Sequence, residues 1–353
     1  MLAETVDAVI GIDTHRDSHE VEIADPAGRP ITAMQVSNDS AGFARLLATI
    51  ADVVPGTRVA VSIEGTRSYG IGLARALAAA GLLVIECEQP SRKRRRGKGK
   101  PGPIDAHLAV LTALRPDTSR VPVPRADGDR EALRILLVAR QEIRAARNAQ
   151  GGRLRALLLA GGDAGRRAAR RSLSKTALAA LAGRELPAGT SREQAVRQAE
   201  ITRLALALAQ ARHQLKDNHT QLLAIVEDIA PGLASRFGIG PVSAAQAIVS
   251  FSHPGRCRSE AAFAAPGGTS PIPASSGQTI RHRLNRGGDR ALNRAIHAIA
   301  LVRMRSCPRT RAYAARRTAE GKTTREIRRC LKRYIARELY RQLTRSMNPP
   351  ASP

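Results

Sequence analysis

Two apolar runs that each end in a carboxylate constrain this chain more than any other feature. Ala8, Val9, Ile10, Gly11 and Ile12 lead into Asp13, and Val59, Ala60, Val61, Ser62 and Ile63 lead into Glu64. A short apolar run bounded by polar residues reads as a buried strand. An acidic side chain at the strand's tip is desolvated little. A third carboxylate, Asp105, stands in Ile104-Asp105-Ala106-His107-Leu108. Oxygen donors at strand tips can converge on one hard cation such as Mg²⁺, which makes phosphodiester chemistry the leading expectation.

The order of the patterns extends this reading. Apolar runs fall near 8–13, 20–24, 31–36, 58–63 and 82–87, and Asp25-Pro26-Ala27-Gly28 makes a hairpin-like break. Ser40 is placed to cap a helix through Phe43, Leu46, Leu47 and Ile50. A second helical pattern follows Tyr69, through Ile71, Leu73, Ala74 and Leu77. The expected order is three strands in a meander, then helix, strand, helix, strand and helix. That order matches the ribonuclease-H-like fold, in which the first and fourth strands lie side by side. Asp13 and Glu64 would then be neighbours, a step that rests on fold analogy.

Charge points to the partner. The 353 residues, enough for two or three domains, carry 57 Lys and Arg against 30 Asp and Glu, a formal net charge of +27. Nucleic acid is the expected counterpart, because binding releases its condensed counterions. Aromatic residues make up 2% and Trp is absent, so contacts should go to phosphates and helical shape rather than to stacked bases. Arg92, Lys93, Arg94, Arg95, Arg96, Lys98 and Lys100 form one basic run; a phosphate backbone would neutralise it, and a solvated charged loop is the plain alternative. Cys87, Cys257, Cys307 and Cys330 show no CxxC spacing, so reduced thiols and no zinc are expected. Residues 1–7 do not resemble a signal peptide and no apolar stretch reaches about 18 residues, so a cytoplasmic chain without a membrane span is expected.

The remainder reads as helical. Over 128–230, Ile201, Leu204, Leu208, Ala211, Leu215, Asn218, Leu222, Ile225 and Ile229 alternate by three and four, the seam of a coiled coil or a long helical hairpin. Asn218 interrupts the seam and is suited to fixing register. An earlier pattern (Leu133, Leu136, Leu137, Val138, Ile143, Leu154, Leu157, Leu158) could cover it within the chain, and an intermolecular coil is an equal alternative. Residues 161–195 read as a loop-rich tip or a crossover. In 231–345, Phe237-Gly238-Ile239-Gly240-Pro241-Val242-Ser243-Ala244 resembles a helix-hairpin-helix turn, where Gly238 and Gly240 would let backbone N–H groups approach a phosphate. Apolar Ala261–Ala265, a Gly/Pro/Ser loop over 267–278 and basic Arg281, Arg283 and Arg286 follow. Residues 346–353 read as a disordered tail.

Taken together, these motifs resemble the DEDD-type transposases of bacterial insertion sequences, the "one-ten" group, viewed as bridge-RNA-guided recombinases. The resemblance runs through Gly11-Ile12-Asp13 with His15 and Asp17, Ile63-Glu64-Gly65-Thr66, and Gly99-Lys100-Pro101-Gly102-Pro103-Ile104-Asp105-Ala106. It continues through Gly238 to Ala244 and Ser275-Ser276-Gly277, and ends in Asn285-Arg286-Gly287-Gly288-Asp289-Arg290-Ala291-Leu292. It implies a RuvC-like, ribonuclease-H-like domain at 1–120, a coiled-coil segment at 128–230 and a mainly helical transposase domain at 231–345. It also implies a homo-oligomer, dimer or tetramer, acting on target and donor DNA with a structured guide RNA.

Carried over by residue, the resemblance makes Asp13, Glu64 and Asp105 the Mg²⁺ ligands and Ser276 the nucleophile, with Ser275 the lesser choice. Arg281, Arg283 and Arg286 could stabilise charge in the transition state. His15 is an accessory candidate; His107 is expected to point away from Asp105 and is assigned no role. The chain departs from the pattern at Gly102, where the family carries its third acidic residue. The rival readings are a junction-resolvase-like nuclease that needs only the carboxylates, and an impaired nucleic-acid-binding remnant.

Overall fold

The structure is a computed structural model and describes residues 2–87, 102–114, 121–125, 127–270, 272–273, 282–283 and 287–347. The basic run 92–100, Ser275, Ser276, Arg281, Arg286 and the tail from 348 onward lie outside the described residues. The chain divides into two compact units: Met1–Glu131 with Ser252–Arg258, and Ala132–Phe251 with Ser259–Pro353.

The first unit follows the expected order. A 3₁₀ turn at Leu2–Glu4 precedes β1 (Ala8–Thr14), β2 (Ser18–Ala24), β3 (Pro30–Ser37), α1 (Ser40–Val53), β4 (Val59–Glu64), α2 (Ile71–Ala79), β5 (Leu83–Cys87) and α3 (Gly102–Leu114). The sheet order is β3-β2-β1-β4-β5. The first three strands form an antiparallel meander, while β4 runs parallel to both β1 and β5. The first and fourth strands are therefore neighbours, as the sequence order implied. The cap of α1 differs from expectation: Asp39, not Ser40, accepts the hydrogen bond from the Gly42 N–H. Its carboxylate reaches that early amide while its own backbone stays extended.

Strand alternation sorts the side chains onto two faces. Ala8, Ile10 and Ile12 of β1 join Val21, Ile23, Val59, Val61, Ile63 and Val84 in a core covered by α1 and α2. Val9, Ala24, Ala60 and Ile85 face the other way, under Val110 and Ala113 of α3. Helix α3 lies directly on β1. A Cβ at Gly11 would stand 2.1 Å from the carbonyl oxygen of Ala106 and 2.7 Å from the backbone N of Val110.

The second unit is helical. Helix α4 (Gly128–Leu159), whose first residues belong to the first unit, is followed by α5 (Asp163–Arg170), α6 (Lys175–Ala182) and α7 (Arg192–Ile229). The region 161–195, expected to be loop-rich, thus contains two short helices. The seam of α7 is covered within the chain. Leu154 and Leu158 of α4 pack with Ile201, Leu204, Ala205 and Leu208 of α7, and with Ala169 and Leu178 from α5 and α6. Toward the other end, Arg140 Nη1 donates to the Asn218 side-chain oxygen at 3.2 Å, and Asn218 Nδ2 donates to the carbonyl of Leu136 at 2.9 Å. These pairings make α4 and α7 an antiparallel hairpin. Beyond Leu222 the buried stripe moves to Val226 rather than Ile225, as a 3.6-residue helix drifts from a strict heptad. Asn218 is 5% exposed and holds both helices by polar contacts. Asn218→Ala should therefore cost about 2 kcal/mol, since both of these interhelical hydrogen bonds are lost at a buried position. Urea unfolding of the full chain checks this.

After the turn at 231–240 come α8 (Pro241–Phe251), α9 (Glu260–Ala264), the two-residue strands β6 (Ile272–Pro273) and β7 (His282–Arg283), then α10 (Arg290–Ser306), α11 (Pro308–Ala319) and α12 (Thr324–Met347). Phe251, Phe263 and Tyr340 cluster with ring centroids about 6 Å apart and join α8, α9 and α12. The antiparallel pair β6–β7 was not legible in the sequence; the chain between its strands includes Ser275 and Ser276, which lie outside the described residues.

Candidate active site

The pairing of β1 with β4 runs in register to Ile12 opposite Ile63. Asp13 and Glu64 are the next residues, at neighbouring ends of parallel strands. By alternation they fall on the α3 face, in step with Val9 and Gly11 on β1 and with Ala60 and Ser62 on β4. Both are largely withdrawn from solvent: the Asp13 side chain is 13% exposed and Glu64 is 7% exposed. Thr14 Oγ1 donates to the Glu64 carbonyl at 2.8 Å and ties the strand ends together. Gly65 then turns the chain with φ +79°, and a Cβ there would meet Thr14 Oγ1 at 2.6 Å, so both conformation and space call for glycine.

The third carboxylate arrives on a helix. Asp105 lies in the first turn of α3, one residue before the Ala106 carbonyl that rests against Gly11. Gly102 opens the same helix, three residues earlier and on the same side. The backbone thus brings Asp13, Glu64 and Asp105 to one face of the sheet, and Gly102 occupies a position suited to a further donor.

Two more carboxylates share that face and were missed by sequence reasoning. Glu20 is the cross-strand partner of Asp13, and Glu22 is the partner of Gly11. Gln35 Nε2 donates to Glu20 Oε1 at 2.6 Å, and His107 Nδ1 lies 2.6 Å from Glu22 Oε1. The expectation that His107 has no role is corrected to this extent: it anchors α3 to β2. The signal was present in the period-two step Glu20, Glu22, Ala24, which puts all three on one face.

Hard carboxylate oxygens on one face fit a divalent cation in kind. As the side chains stand, no three of His, Cys, Asp and Glu among the described residues are gathered around a common point. Neither Asp13, Glu64 nor Asp105 is without a partner. His15 Nε2 is 3.8 Å from Asp13 Oδ2 and 56% exposed, an outer neighbour of the carboxylate.

Comparison with known proteins resolves the family. Residues 10–161 match a DEDD-type transposase model of the IS110 group, and residues 230–315 match the model described as "Transposase IS116/IS110/IS902 family". Together the two models take in well over half of the chain. The chain belongs to the IS110 family of transposases. A relative from Streptomyces coelicolor, "Insertion element IS110 uncharacterized 43.6 kDa protein", is 32% identical over 126 residues. That match covers 35% of this chain and 31% of the relative, so it spans about a third of the relative's length. The first family match contains Asp13, Glu64 and Asp105; the second contains the Gly238–Gly240 turn, Ser275 and Ser276.

Within this member of the family, the remaining site residues separate. Gly238 packs on α10, where a Cβ would meet Arg303 Cγ at 3.1 Å, whereas Gly240 borders open space. The turn is pinned: Arg303 Nε donates to the Phe237 carbonyl at 2.8 Å, and Arg303 and Arg236 both hold Glu338. Of the basic residues expected to meet nucleic acid, Arg283 is described by its backbone alone, paired with Ile272 in β7. Among the described residues, no helix is long and apolar enough to cross a membrane.

On the neighbouring strand and the opposite face of the sheet from Glu64, an arginine cluster surrounds one buried acid. Glu86 on β5 is 5% exposed, is bridged by two nitrogens of Arg125, and has Arg67 Nε at 3.2 Å. Burial pushes its carboxyl up, but the hydrogen bonds and charge of Arg125, with the charges of Arg67 and Arg130, outweigh that and hold it below the ordinary value. Arg130 is itself lowered to about 10, first by burial and then by the charge of Arg125. A folded carboxyl held low contributes stability above the unfolded value, about 4.3, that is lost as pH falls through the folded value. The stability gap between the wild-type chain and Glu86→Gln should therefore narrow as pH drops from 6 toward 3. Urea melts at several pH values measure it.

Proposed function

We propose that this chain is the recombinase of a mobile element, cutting and rejoining DNA under the guidance of a structured RNA transcribed from the element's flank. The observation that carries the reading is the placement of Asp13 and Glu64 at adjacent strand ends, on the face where α3 delivers Asp105, in a member of a transposase family. Asp13, Glu64 and Asp105 would hold a divalent cation, Mg²⁺. Once bound, that ion would polarise a phosphodiester and offset the charge that develops on its oxygens. Ser276 would attack phosphorus, exchanging one P–O ester bond for another and releasing a strand with a free hydroxyl. The ester to serine conserves the bond energy that the incoming hydroxyl needs for rejoining. Guide and DNA would read one another by base pairing, so the protein's contacts would go to phosphates and helical shape, in keeping with +27 and few aromatic rings. A homo-oligomer would let the carboxylates of one protomer serve the serine of another.

A second reading has its own observation. Gly102, at the first position of α3, leaves the carboxylate set one donor short, which favours a chain that binds nucleic acid and recombines slowly. Gly102→Asp should then raise recombination several-fold, because a carboxylate there lies one helical turn before Asp105. The assay is formation of the joined product from donor and target plasmids with Mg²⁺ and with EDTA, alongside sequencing of the RNA that co-purifies with the chain. The element's flanking transcript and a Mg²⁺-dependent joint support the proposal; random RNA with no joint under any divalent metal would remove it.

A further inference from the structure

Strands β4 and β5 are parallel neighbours, and the next described helix after each packs on opposite faces of the sheet. β4 leads to α2, packed on the face that carries Ile12 and Ile63, whereas α3, the next described element after β5, packs on the other. Such a divergence opens a crevice beyond the strand ends. Here it is a cleft of about 420 Å³, lined by Gly65, Thr66, Arg67, Ser68, Glu86, Cys87 and Arg125.

Donors predominate in the lining. Thr66 is 1% exposed, yet its hydroxyl has no hydrogen-bond partner among the described residues. A buried hydroxyl left unpaired costs about 1–3 kcal/mol, so an acceptor that reaches it gains a hydrogen bond. Arg67, the next residue, is half-exposed, with its side chain 52% accessible. The one carboxylate in this lining, Glu86, is already bridged by Arg67 and Arg125. Around it, the guanidinium groups of Arg67, Arg125 and Arg130 outnumber the carboxylates of Glu86 and Glu131. A concavity rich in N–H and O–H donors with surplus positive charge selects an anion.

We propose that this cleft binds a phosphate of the nucleic-acid strand, with the Thr66 hydroxyl and the Arg67 guanidinium as its donors. Its two donors follow Glu64 in sequence by two and three residues. The inference rests on the proposed DNA chemistry for its ligand and adds a site outside the carboxylates. The committed ligand is a strand phosphodiester, and a free inorganic anion is the alternative that the test separates. Thr66 and Arg67 act here as binding and positioning residues.

The test uses the full chain and a six-nucleotide oligothymidylate in EDTA, with affinity measured by fluorescence anisotropy across salt concentrations. A short strand limits the number of phosphate contacts, so the loss of one is readable in the slope. Arg67→Gln should flatten the plot of log affinity against log salt by about 0.7, the value for one single-strand phosphate. Thr66→Val should weaken binding about tenfold with the slope unchanged, and Thr66→Ser should restore it. Arg29→Gln, on an exposed arginine of the β2–β3 turn, is the control and should match the wild-type chain. The proposal falls if Arg67→Gln behaves as Arg29→Gln, or if Thr66→Val, folded by circular dichroism, binds as the wild type does. It falls equally if Thr66→Val alters competition by inorganic phosphate but not binding of the strand. Because no metal is present, this result is independent of the cutting assay: loss of the carboxylate reading would appear there and not here.

Discussion

Asp13→Asn is expected to lower Mg²⁺-dependent DNA cutting on the order of a thousandfold while leaving nucleic-acid binding unchanged. The substitution keeps the size of the side chain and removes its charge, and charge is what a divalent cation requires of a ligand at a strand tip. The neighbouring geometry should survive, because Thr14 Oγ1 and the β1–β4 pairing hold the backbone without help from the Asp13 side chain. Binding should persist because it draws on the excess of 57 basic over 30 acidic residues rather than on one carboxylate. Cleavage of a labelled donor and filter binding measured on the same preparation give both numbers. The companion variant Ser276→Ala separates the two enzymatic readings. A recombinase loses strand exchange in that variant, whereas a junction-resolvase-like nuclease goes on cutting. Undiminished Mg²⁺-dependent cutting by Asp13→Asn would remove Asp13 from the site.

Gly11→Val should unfold the first unit or cost it more than about 3 kcal/mol. The Cβ alone would stand 2.1 Å from the Ala106 carbonyl and 2.7 Å from Val110 Cγ2, and valine adds two methyl groups. Backbone cannot yield as the end of a flexible side chain can, so α3 would have to lift from β1. That movement would expose Val110 and Ala113 and carry Asp105 away from Asp13. Stability and cutting should therefore fall together, with a melting temperature lower by roughly 6–12 °C in a unit of this size. Gly152→Ala is the contrast. It lies inside α4 with nothing within 4 Å of the added Cβ, and alanine there should raise stability by up to about 1 kcal/mol. A Gly11→Val chain that melts like the wild type would refute the close docking of α3.

Much of the first unit was legible because it depends on local patterns. Alternation and turn residues located β1 to β5 within two residues, and the order of strands and helices led to the neighbouring positions of Asp13 and Glu64. The seam of α7 was legible for the same reason, since a heptad is written along a single helix. What covers that seam was not: the hydrogen bonds of Asn218 reach Leu136 and Arg140, about eighty residues away.

The sequence by itself determined the order of strands and helices, where the carboxylates sit within their elements, and the family to which the chain belongs. Those properties follow from period, charge and the order of motifs. Only the tertiary structure decided that α3 lies close enough on β1 to require Gly11, that His107 meets Glu22, and that Arg67 and Arg125 converge on Glu86 beside an unpartnered Thr66. Each of these contacts joins residues 19 to 95 positions apart. No local pattern encodes such a meeting, because it exists only once the sheet has set the distances between its strands and helices.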